Sequence, residues 1–484
     1  MANLKSLAKD TAIYGLSSIA ARFVNYLLVP IQTTKFNAAG GQYGIITNVY
    51  AYVALLIVLL TYGMETTFFR FMSKEGESPE KVYATTLKMV GTTSLLFMAV
   101  ILLFNQPIAN LLGYADHPEY ITIMYVTVAI DAFAAIPFAY LRCKHRPIKF
   151  AILKILNITL NIVLNLLYLI ILPSLKLNPF GIYDANFTLD VVWVFYINLI
   201  CTIITLLLLW KELAGIRYSF DKGTCRRMLS YTFPLLIMGL AGQLNQCASQ
   251  IIFPYVYDGT AEEARTQLGI YGACIKIAMI MVMITQAFRY AYEPFVFGKS
   301  KDRDNKDTYA KAMKFYIIFT LLAFLTVMGY MDVLRHVVGR SYWDGLEIVP
   351  IVMAAEIMFG IFFNLSFWYK LTDRTIWGAY FSGVGAVVLI AMNILLIPTF
   401  SYCMVISYYF GQKYYPIAYP LRDILFYVVV ALVLFAAITA SNKYFPSLLA
   451  LAGNTVIILV FVAIIVKRDF PLSKLPIVGK RFRK

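Results

Sequence analysis

Residues 44–64 read GIITNVYAYVALLIVLLTYGM, a stretch of 21 residues without a single lysine, arginine, aspartate or glutamate. A helix needs about 20 mostly apolar residues to cross the hydrocarbon core of a membrane. Comparable stretches recur along the whole chain and predict about fourteen transmembrane helices. They lie at 12–34, 44–64, 85–104, 121–141, 149–172, 191–210, 228–254, 268–288, 315–334, 348–369, 376–398, 401–412, 423–440 and 448–466.

The composition of the 484-residue chain agrees with this prediction. Hydrophobic residues make up 60% of the chain and charged residues 14%, whereas soluble domains are about 45–50% apolar and about 25% charged. We therefore predict an all-α, polytopic membrane protein. Its six cysteines and three histidines are scattered, without the spacing of a metal site, so we expect neither a metal nor a cofactor.

The positive charges predict the orientation of the helices. If the N-terminus is cytoplasmic and all fourteen segments cross, 34 of the 42 lysines and arginines lie in cytoplasmic segments and 6 in outside loops. Cytoplasmic loops of membrane proteins carry such an excess, so we expect both termini in the cytoplasm. The net charge of +16 then faces anionic lipid and does not indicate a nucleic-acid partner.

The loops between the predicted helices are short, and the chain contains no phosphate-binding G-x-x-x-x-G-K-[ST] motif. An ATP-driven pump within this chain is therefore excluded, as is a catalytic domain outside the membrane. We predict that the protein is not an enzyme.

A short motif recurs at corresponding points of the two halves. Gln42-Tyr43-Gly44-Ile45 opens the second predicted span, and Gln267-Leu268-Gly269-Ile270 opens the eighth, 225 residues later. Six spans separate the two copies, so both halves have the same orientation, as in transporters with parallel repeats. We predict two pseudo-symmetric six-helix bundles, at 1–222 and 223–412, followed by two further helices and a basic tail at 413–484.

Four stretches carry a resemblance to a known family. They are the run 10–30, the Gln42–Ile45 motif, the segment 268–278 and Asn393-Ile394-Leu395-Leu396-Ile397-Pro398. With these stretches the chain resembles the O-antigen-type polysaccharide flippases of the multidrug/oligosaccharidyl-lipid/polysaccharide (MOP) exporter superfamily. The resemblance implies a MATE-like fold in the bacterial cytoplasmic membrane. It also implies the flipping of a sugar unit linked to undecaprenyl pyrophosphate, with membrane lipids, a polysaccharide polymerase and other assembly proteins as further partners.

The chain departs from this family after Pro398. About ten residues are missing before the next span, and the remaining segment 401–412 extends only ~18 Å as a helix. This length is short of a core of ~30 Å. Because the charges of the tail favour a cytoplasmic C-terminus, we expect 401–412 to cross as a short helix sheltered by protein, or to share the crossing with 376–398.

Polar residues within the spans predict a substrate path. Arg22 lies mid-span, where a charge costs ~2.5–3.5 kcal/mol unless it faces a cavity or a partner. Arginine and lysine suit a pyrophosphate, whereas amides suit sugar hydroxyls. An alternative stays open, because asparagine and glutamine also form hydrogen-bonded seams between helices. The candidate substrate-binding residues are Arg22, Asn25, Lys154, Asn161, Gln243, Gln246, Lys276 and Arg289.

Three acidic residues within or near the spans, Glu65, Asp131 and Glu356, are candidates for coupling to H⁺ or Na⁺. Buried carboxylates serve as proton relays in pumps and transporters, and the alternative for each is an ion pair with a nearby cation. The main functional prediction is an ion-driven oligosaccharide flippase. The alternatives are a multidrug or cation antiporter of the same superfamily and a membrane-embedded polysaccharide polymerase.

Overall fold

The computed structural model describes residues 26–72, 76–144, 146–184, 186–217, 219–299, 305–366 and 419–469, together with single positions between 377 and 388. The predicted all-α polytopic fold is confirmed. Its principal helices are α1 (Leu28–Lys35), α2 (Gln42–Thr61), α3 (Met64–Met72), α4 (Pro79–Leu103), α5 (Pro118–Cys143), α6 (Pro147–Leu166), α7 (Val192–Leu208), α8 (Lys222–Val256), α9 (Ala261–Lys299), α10 (Asn305–Gly329), α11 (Val349–Leu365), α12 (Leu421–Tyr444) and α13 (Ser447–Arg468).

Within the described residues, nine helices are long and apolar enough to cross a membrane, and all nine coincide with predicted spans. The predicted span 191–210 is the 17-residue helix α7, and 228–254 lies inside the more polar α8. The span 12–34 begins before the described residues, most of 376–398 lies outside them, and so does all of 401–412. The predicted number of fourteen spans therefore stays a prediction.

Local sequence explains where the helices begin and end. Proline is the first residue of α4, α5 and α6, a position that requires no backbone N–H and suits its fixed φ. The side chain of Asp221 caps α8 by accepting a hydrogen bond of 2.8 Å from the backbone N–H of Gly223. Tyr62 and Gly63 both have positive φ, of 35° and 74°, and separate α2 from α3.

The described part of the chain divides into two compact units, the first running to Ala273 and the second beginning at Cys274, within α9. In the first unit, α5 packs against α2, α4 and α7, and α8 packs against α2. One buried cluster there joins residues of α3, α4, α5 and α8, including Met64, Phe68, Leu87, Ile136 and Met228.

The two copies of the repeated motif meet in the first unit. A methyl group on Gly44 would overlap the carbonyl of Arg265, and one on Gly269 would lie 2.9 Å from the backbone nitrogen of Gly44. One turn further, a methyl on Gly272 would overlap the side chain of Thr47. Small residues let helices approach this closely in membranes, so the glycine of each motif allows α2 to cross the beginning of α9.

In the second unit, α10 packs against α11, α12 and α13. Ion pairs join three of these helices at one end. The ammonium of Lys314, near the start of α10, lies 2.9 Å from a carboxylate oxygen of Asp423, at the start of α12, and 2.5 Å from one of Asp469, just after α13. Tyr309, Phe363 and Tyr419 pack together at the start of α10, the end of α11 and the approach to α12. These contacts place four helix ends side by side.

Candidate functional site

The first unit contains four charged side chains on α3, α5 and α6 that we call the charged quartet: Glu65, Asp131, Arg142 and Lys154. Glu65 and Arg142 form an ion pair in which both side chains are about one-third exposed. The guanidinium of Arg142 also lies 4.9 Å from the ring centroid of Phe69. The Glu65 carboxylate is therefore compensated inside the protein.

Asp131 and Lys154 complete the quartet. The hydroxyl of Thr202, on α7, donates a hydrogen bond of 3.1 Å to Asp131. The ammonium of Lys154 lies 4.2 Å from the ring centroid of Phe138 and is close enough to interact electrostatically with Asp131 and with the Glu65–Arg142 pair. Two acids thus face two bases, and the quartet has no net charge.

A seam of asparagines continues from the quartet along α6. Asn161 donates a hydrogen bond of 3.0 Å to the amide oxygen of Asn198 on α7, and Asn165 donates one of 3.2 Å to Asn161. Asn157 donates one of 2.8 Å to the hydroxyl of Thr205. Asn161 and Asn165 are buried, so this face of α6 joins two helices. A sugar-binding role for Asn161 stays a prediction.

Lys276 and Glu356 lie in the second unit, in the middle of the spans Ala261–Phe288 and Arg340–Leu365. Both side chains are partly buried. Among the described residues neither has a hydrogen bond or an ion pair, and no charged residue there interacts electrostatically with either. These two charges are therefore uncompensated by the part of the protein that the structure describes.

The surroundings of Glu356 include a tyrosine of α10. Tyr316, on α10, interacts electrostatically with Glu356, and its hydroxyl lies 3.0 Å from that of Thr285 on α9. Gly360, one turn after Glu356, lets the Tyr316 hydroxyl approach α11 closely, because a methyl group at Gly360 would overlap that hydroxyl. A carboxyl group within electrostatic range of a tyrosine hydroxyl can exchange a proton or bind a cation.

The structure gives less detail about the other candidate substrate-binding residues. Gln243 is partly buried and Gln246 exposed on α8, and the thiol of Cys247, one turn further, is hydrogen-bonded to Gln243. Arg22 and Asn25 lie outside the described residues. Arg289 belongs to α9, but its side chain lies outside the description as well. Among the candidates, the structure brings together Glu65, Asp131 and Lys154 in the first unit.

Sequence reasoning did not single out Arg142, Thr202, Thr285 or Tyr316. Arg142 and Glu65 are 77 residues apart, so no local pattern joins them. The signal for Arg142 was its position at the end of an apolar span, where a lysine or arginine can equally extend to the lipid interface. Tyr316 is one of 35 tyrosines, and only the close approach at Gly360 distinguishes it. Among the described residues, no group of three His, Cys, Asp or Glu side chains could hold a metal ion.

Several solved structures resemble this fold. One is the "Lipid II flippase MurJ, inward closed conformation", with a TM-score of 0.71, 14% identity, and coverage of 94% of this chain and 98% of that chain. A second is the "MATE multidrug transporter DinF-BH", with a TM-score of 0.58, 14% identity, and coverage of 86% and 96%. A third is an outward-facing "multidrug resistance MATE family transporter of the MOP superfamily", with a TM-score of 0.53, 14% identity, and coverage of 84% and 95%.

No curated protein sequence matches this chain. A family model described as "Polysaccharide biosynthesis protein" matches residues 7–291, which is more than half of the chain. The predicted family is thus confirmed, and the solved structures show the same fold. The chain belongs to the polysaccharide biosynthesis protein family and is a multi-pass membrane protein with the fold of the MOP superfamily.

Proposed function

We propose that this protein flips an oligosaccharide linked to undecaprenyl pyrophosphate across the bacterial cytoplasmic membrane. It does so by alternating access, driven by a gradient of H⁺ or Na⁺. The family match supports a role in polysaccharide biosynthesis. The shared fold with a protein named as a lipid II flippase supports a lipid-linked cargo.

The observation that carries this proposal is Lys276. Its ammonium lies in the middle of a spanning helix without an anionic partner among the described residues, and a charge at that depth costs ~2.5–3.5 kcal/mol. A pyrophosphate would neutralise it, because lysine binds phosphate as a point charge. In this proposal Arg22 and Arg289 provide further positive charge. Asn25, Gln243 and Gln246 provide amides for the sugar.

Glu356 is the coupling residue we favour over Glu65 and Asp131. The latter two carboxylates belong to the charged quartet, where cations already compensate them. Glu356 interacts electrostatically with Tyr316, whose hydroxyl contacts that of Thr285, and no cation among the residues described interacts with it. Protonation or Na⁺ binding would remove the cost of its charge in the membrane, so its occupancy can bias two conformations of the second unit.

The carboxylate of Glu356 favours a second candidate function, a multidrug or cation antiporter. An organic cation could pair with the unpaired carboxylate of Glu356. Lys276 opposes that role, since a cation in the middle of a span repels a cationic cargo. A flippase accommodates both charges, the lysine for the substrate and the carboxylate for the coupling ion.

The adjoining helix ends support a cytoplasmic C-terminus. The predicted orientation puts the start of α10 on the cytoplasmic side. Because the end of α11, the start of α12 and the end of α13 lie beside it, we propose that these three ends are cytoplasmic too. The chain then crosses the membrane an even number of times within 366–420. Two crossings, at 376–398 and 401–412, agree with this parity.

A complementation assay tests the proposed function. A bacterial strain that lacks its own polysaccharide flippase receives wild-type protein, Lys276→Ala or Lys311→Ala. Lys311 is the control, because it is an exposed lysine that pairs with Asp307 outside the predicted substrate path. We expect wild type and Lys311→Ala to restore surface polysaccharide and Lys276→Ala to fail at equal membrane abundance. Failure of wild type in hosts of several polysaccharide types, with drug resistance conferred instead, would favour the antiporter.

A further inference from the structure

A crevice of about 830 Å³ opens in the first unit between α2, α4 and α8. Its walls are mainly apolar, and several wall residues are strongly exposed: Phe233 by 63%, Leu229 by 46% and Leu59 by 45%. Of the twelve residues that line this crevice, Lys88 is the one that carries a charge. The volume lies within the ~300–1,000 Å³ of small-molecule sites.

The crevice begins at the level of a loop. Thr85, on α4, accepts a hydrogen bond of 3.1 Å from the backbone N–H of Asp221, in the loop before α8. Lys88 is three residues further along α4, or ~4.5 Å deeper. Phe220, in the same loop, also lines the crevice. Lys88 therefore lies close to the depth at which the membrane interface meets the protein.

From this level the crevice extends into the membrane. On α8, Cys225 and Leu236 both line the crevice and are eleven residues apart. This separation corresponds to ~16 Å along the helix. One leaflet contributes about half of a hydrocarbon core of ~30 Å. The crevice is thus long enough to hold a lipid chain across one leaflet.

The direction of α4 favours a phosphate at Lys88. Side chains on a helix lean towards its N-terminus, and α4 begins at the loop side of the crevice. Long lysine side chains within a span extend towards the interface. The ammonium has three N–H donors, so it can bind a phosphate oxygen alongside another partner.

We propose that this crevice binds one anionic glycerophospholipid of the cytoplasmic leaflet, with its phosphate at Lys88 and an acyl chain along Leu229, Phe233 and Leu236. Charge complementarity is the reason for choosing an anionic lipid, because the lining holds a cation and no acid. The adjoining segments 70–88 and 211–227 are rich in lysine and arginine. They therefore belong to the cytoplasmic side, where anionic lipids are abundant.

Native mass spectrometry of the detergent-purified full chain tests this proposal, with phosphatidylglycerol and phosphatidylcholine of equal chain length as probes. We expect wild type to retain one phosphatidylglycerol per chain, with at least a fivefold preference over phosphatidylcholine. Lys88→Gln should bind both lipids alike. Lys81→Gln, an exposed lysine two turns earlier on α4, should behave as wild type.

Two further measurements complete the test: a variant that fills the crevice and a competition between lipids. Leu229→Trp fills the crevice while keeping Lys88 and should lower retention of phosphatidylglycerol. This variant keeps the proposal testable if Lys88→Gln fails to fold. Equal binding of the two lipids by wild type would overturn the proposal, as would an undiminished preference in Lys88→Gln. Displacement of phosphatidylglycerol by undecaprenyl phosphate at equimolar concentration would assign the crevice to the transported lipid instead. This binding assay is independent of transport, so its outcome does not depend on the proposed flippase function.

Discussion

The two compact units treat charges within the membrane differently. In the first unit Glu65 pairs with Arg142, and Asp131 interacts with Lys154 and Thr202. In the second unit Lys276 and Glu356 lie at mid-span without a charged partner among the described residues. A compensated charge can be explained by its partner. An uncompensated one, at ~2.5–3.5 kcal/mol, needs a ligand to explain why the sequence retains it.

The second unit is able to pair charges at its ends. Lys314 contacts both Asp423 and Asp469, and Arg468 contacts Asp423. The hydroxyl of Tyr427 donates a hydrogen bond to Asp469. Such a network stabilises the packing of α12 and α13 on α10. The absence of comparable partners around Lys276 and Glu356, within the residues described, is therefore specific to the middle of this unit.

The largest effect is expected at Lys276. Lys276→Ala should lower polysaccharide export more than tenfold while membrane abundance and thermal stability stay near those of wild type, because the lost interaction is with substrate. Lys276→Arg should keep part of the activity. Surface polysaccharide and the melting temperature of purified protein are the two readouts. A large fall in melting temperature with proportionate loss of export would mean that Lys276 supports the fold instead.

The next effect is expected at Glu356. Glu356→Gln resembles the protonated carboxyl, so transport in reconstituted vesicles should lose its dependence on the ion gradient and slow several-fold. Tyr316→Phe should weaken the same dependence to a smaller extent, since it removes one neighbouring hydroxyl. Flipping by wild type should stop when proton and sodium gradients are both dissipated. Gradient dependence that persists in Glu356→Gln would move the coupling site elsewhere.

A moderate effect on stability, not on transport chemistry, is expected at Arg142. Arg142→Met removes the cation that compensates Glu65, and both side chains are partly exposed, so the loss should be about 1–2 kcal/mol. The double variant Glu65→Gln/Arg142→Met should regain part of it, as a double-mutant cycle would show. Unchanged stability of Arg142→Met together with loss of gradient dependence would instead make the charged quartet the coupling site.

The smallest effect is expected at Asn161. Its amide joins α6 to α7 through Asn198, and interhelical hydrogen bonds in membranes average about 0.6 kcal/mol. Asn161→Ala should lower the melting temperature slightly and change export less than twofold. Asn157→Ala is a matched control on the same seam. Loss of export in Asn161→Ala but not in Asn157→Ala would assign Asn161 to the sugar path.

Much of the fold could be predicted from the sequence because a membrane imposes length and polarity on each segment. All nine apolar helices of the described residues correspond to predicted spans. The repeated motif was also informative: Gly44 and Gly269, predicted to be equivalent, are in contact, since close crossing of α2 and α9 leaves no room for a side chain. The predicted span 228–254 lies within α8, whose many polar residues keep it out of the nine apolar helices.

The candidate site was less predictable for a physical reason. Spacing shows which residues share a helix face, but the partner of that face depends on how the helices rotate and pack. On α6 the sequence singled out Lys154 and Asn161, at a spacing that puts them on one helix face with Asn157 and Asn165. That its asparagines contact α7 while Lys154 interacts with α5 follows only from packing. Likewise, the sequence suggested Glu356 but could not place Tyr316 beside it.

The central claim is that Lys276, which has no charged partner among the described residues, binds the pyrophosphate of the substrate. The most direct measurement is the affinity of purified protein for undecaprenyl pyrophosphate without sugar, compared between wild type, Lys276→Met and Arg142→Met. The account predicts at least tenfold weaker binding for Lys276→Met and unchanged binding for Arg142→Met. Equal affinity of wild type and Lys276→Met would contradict it.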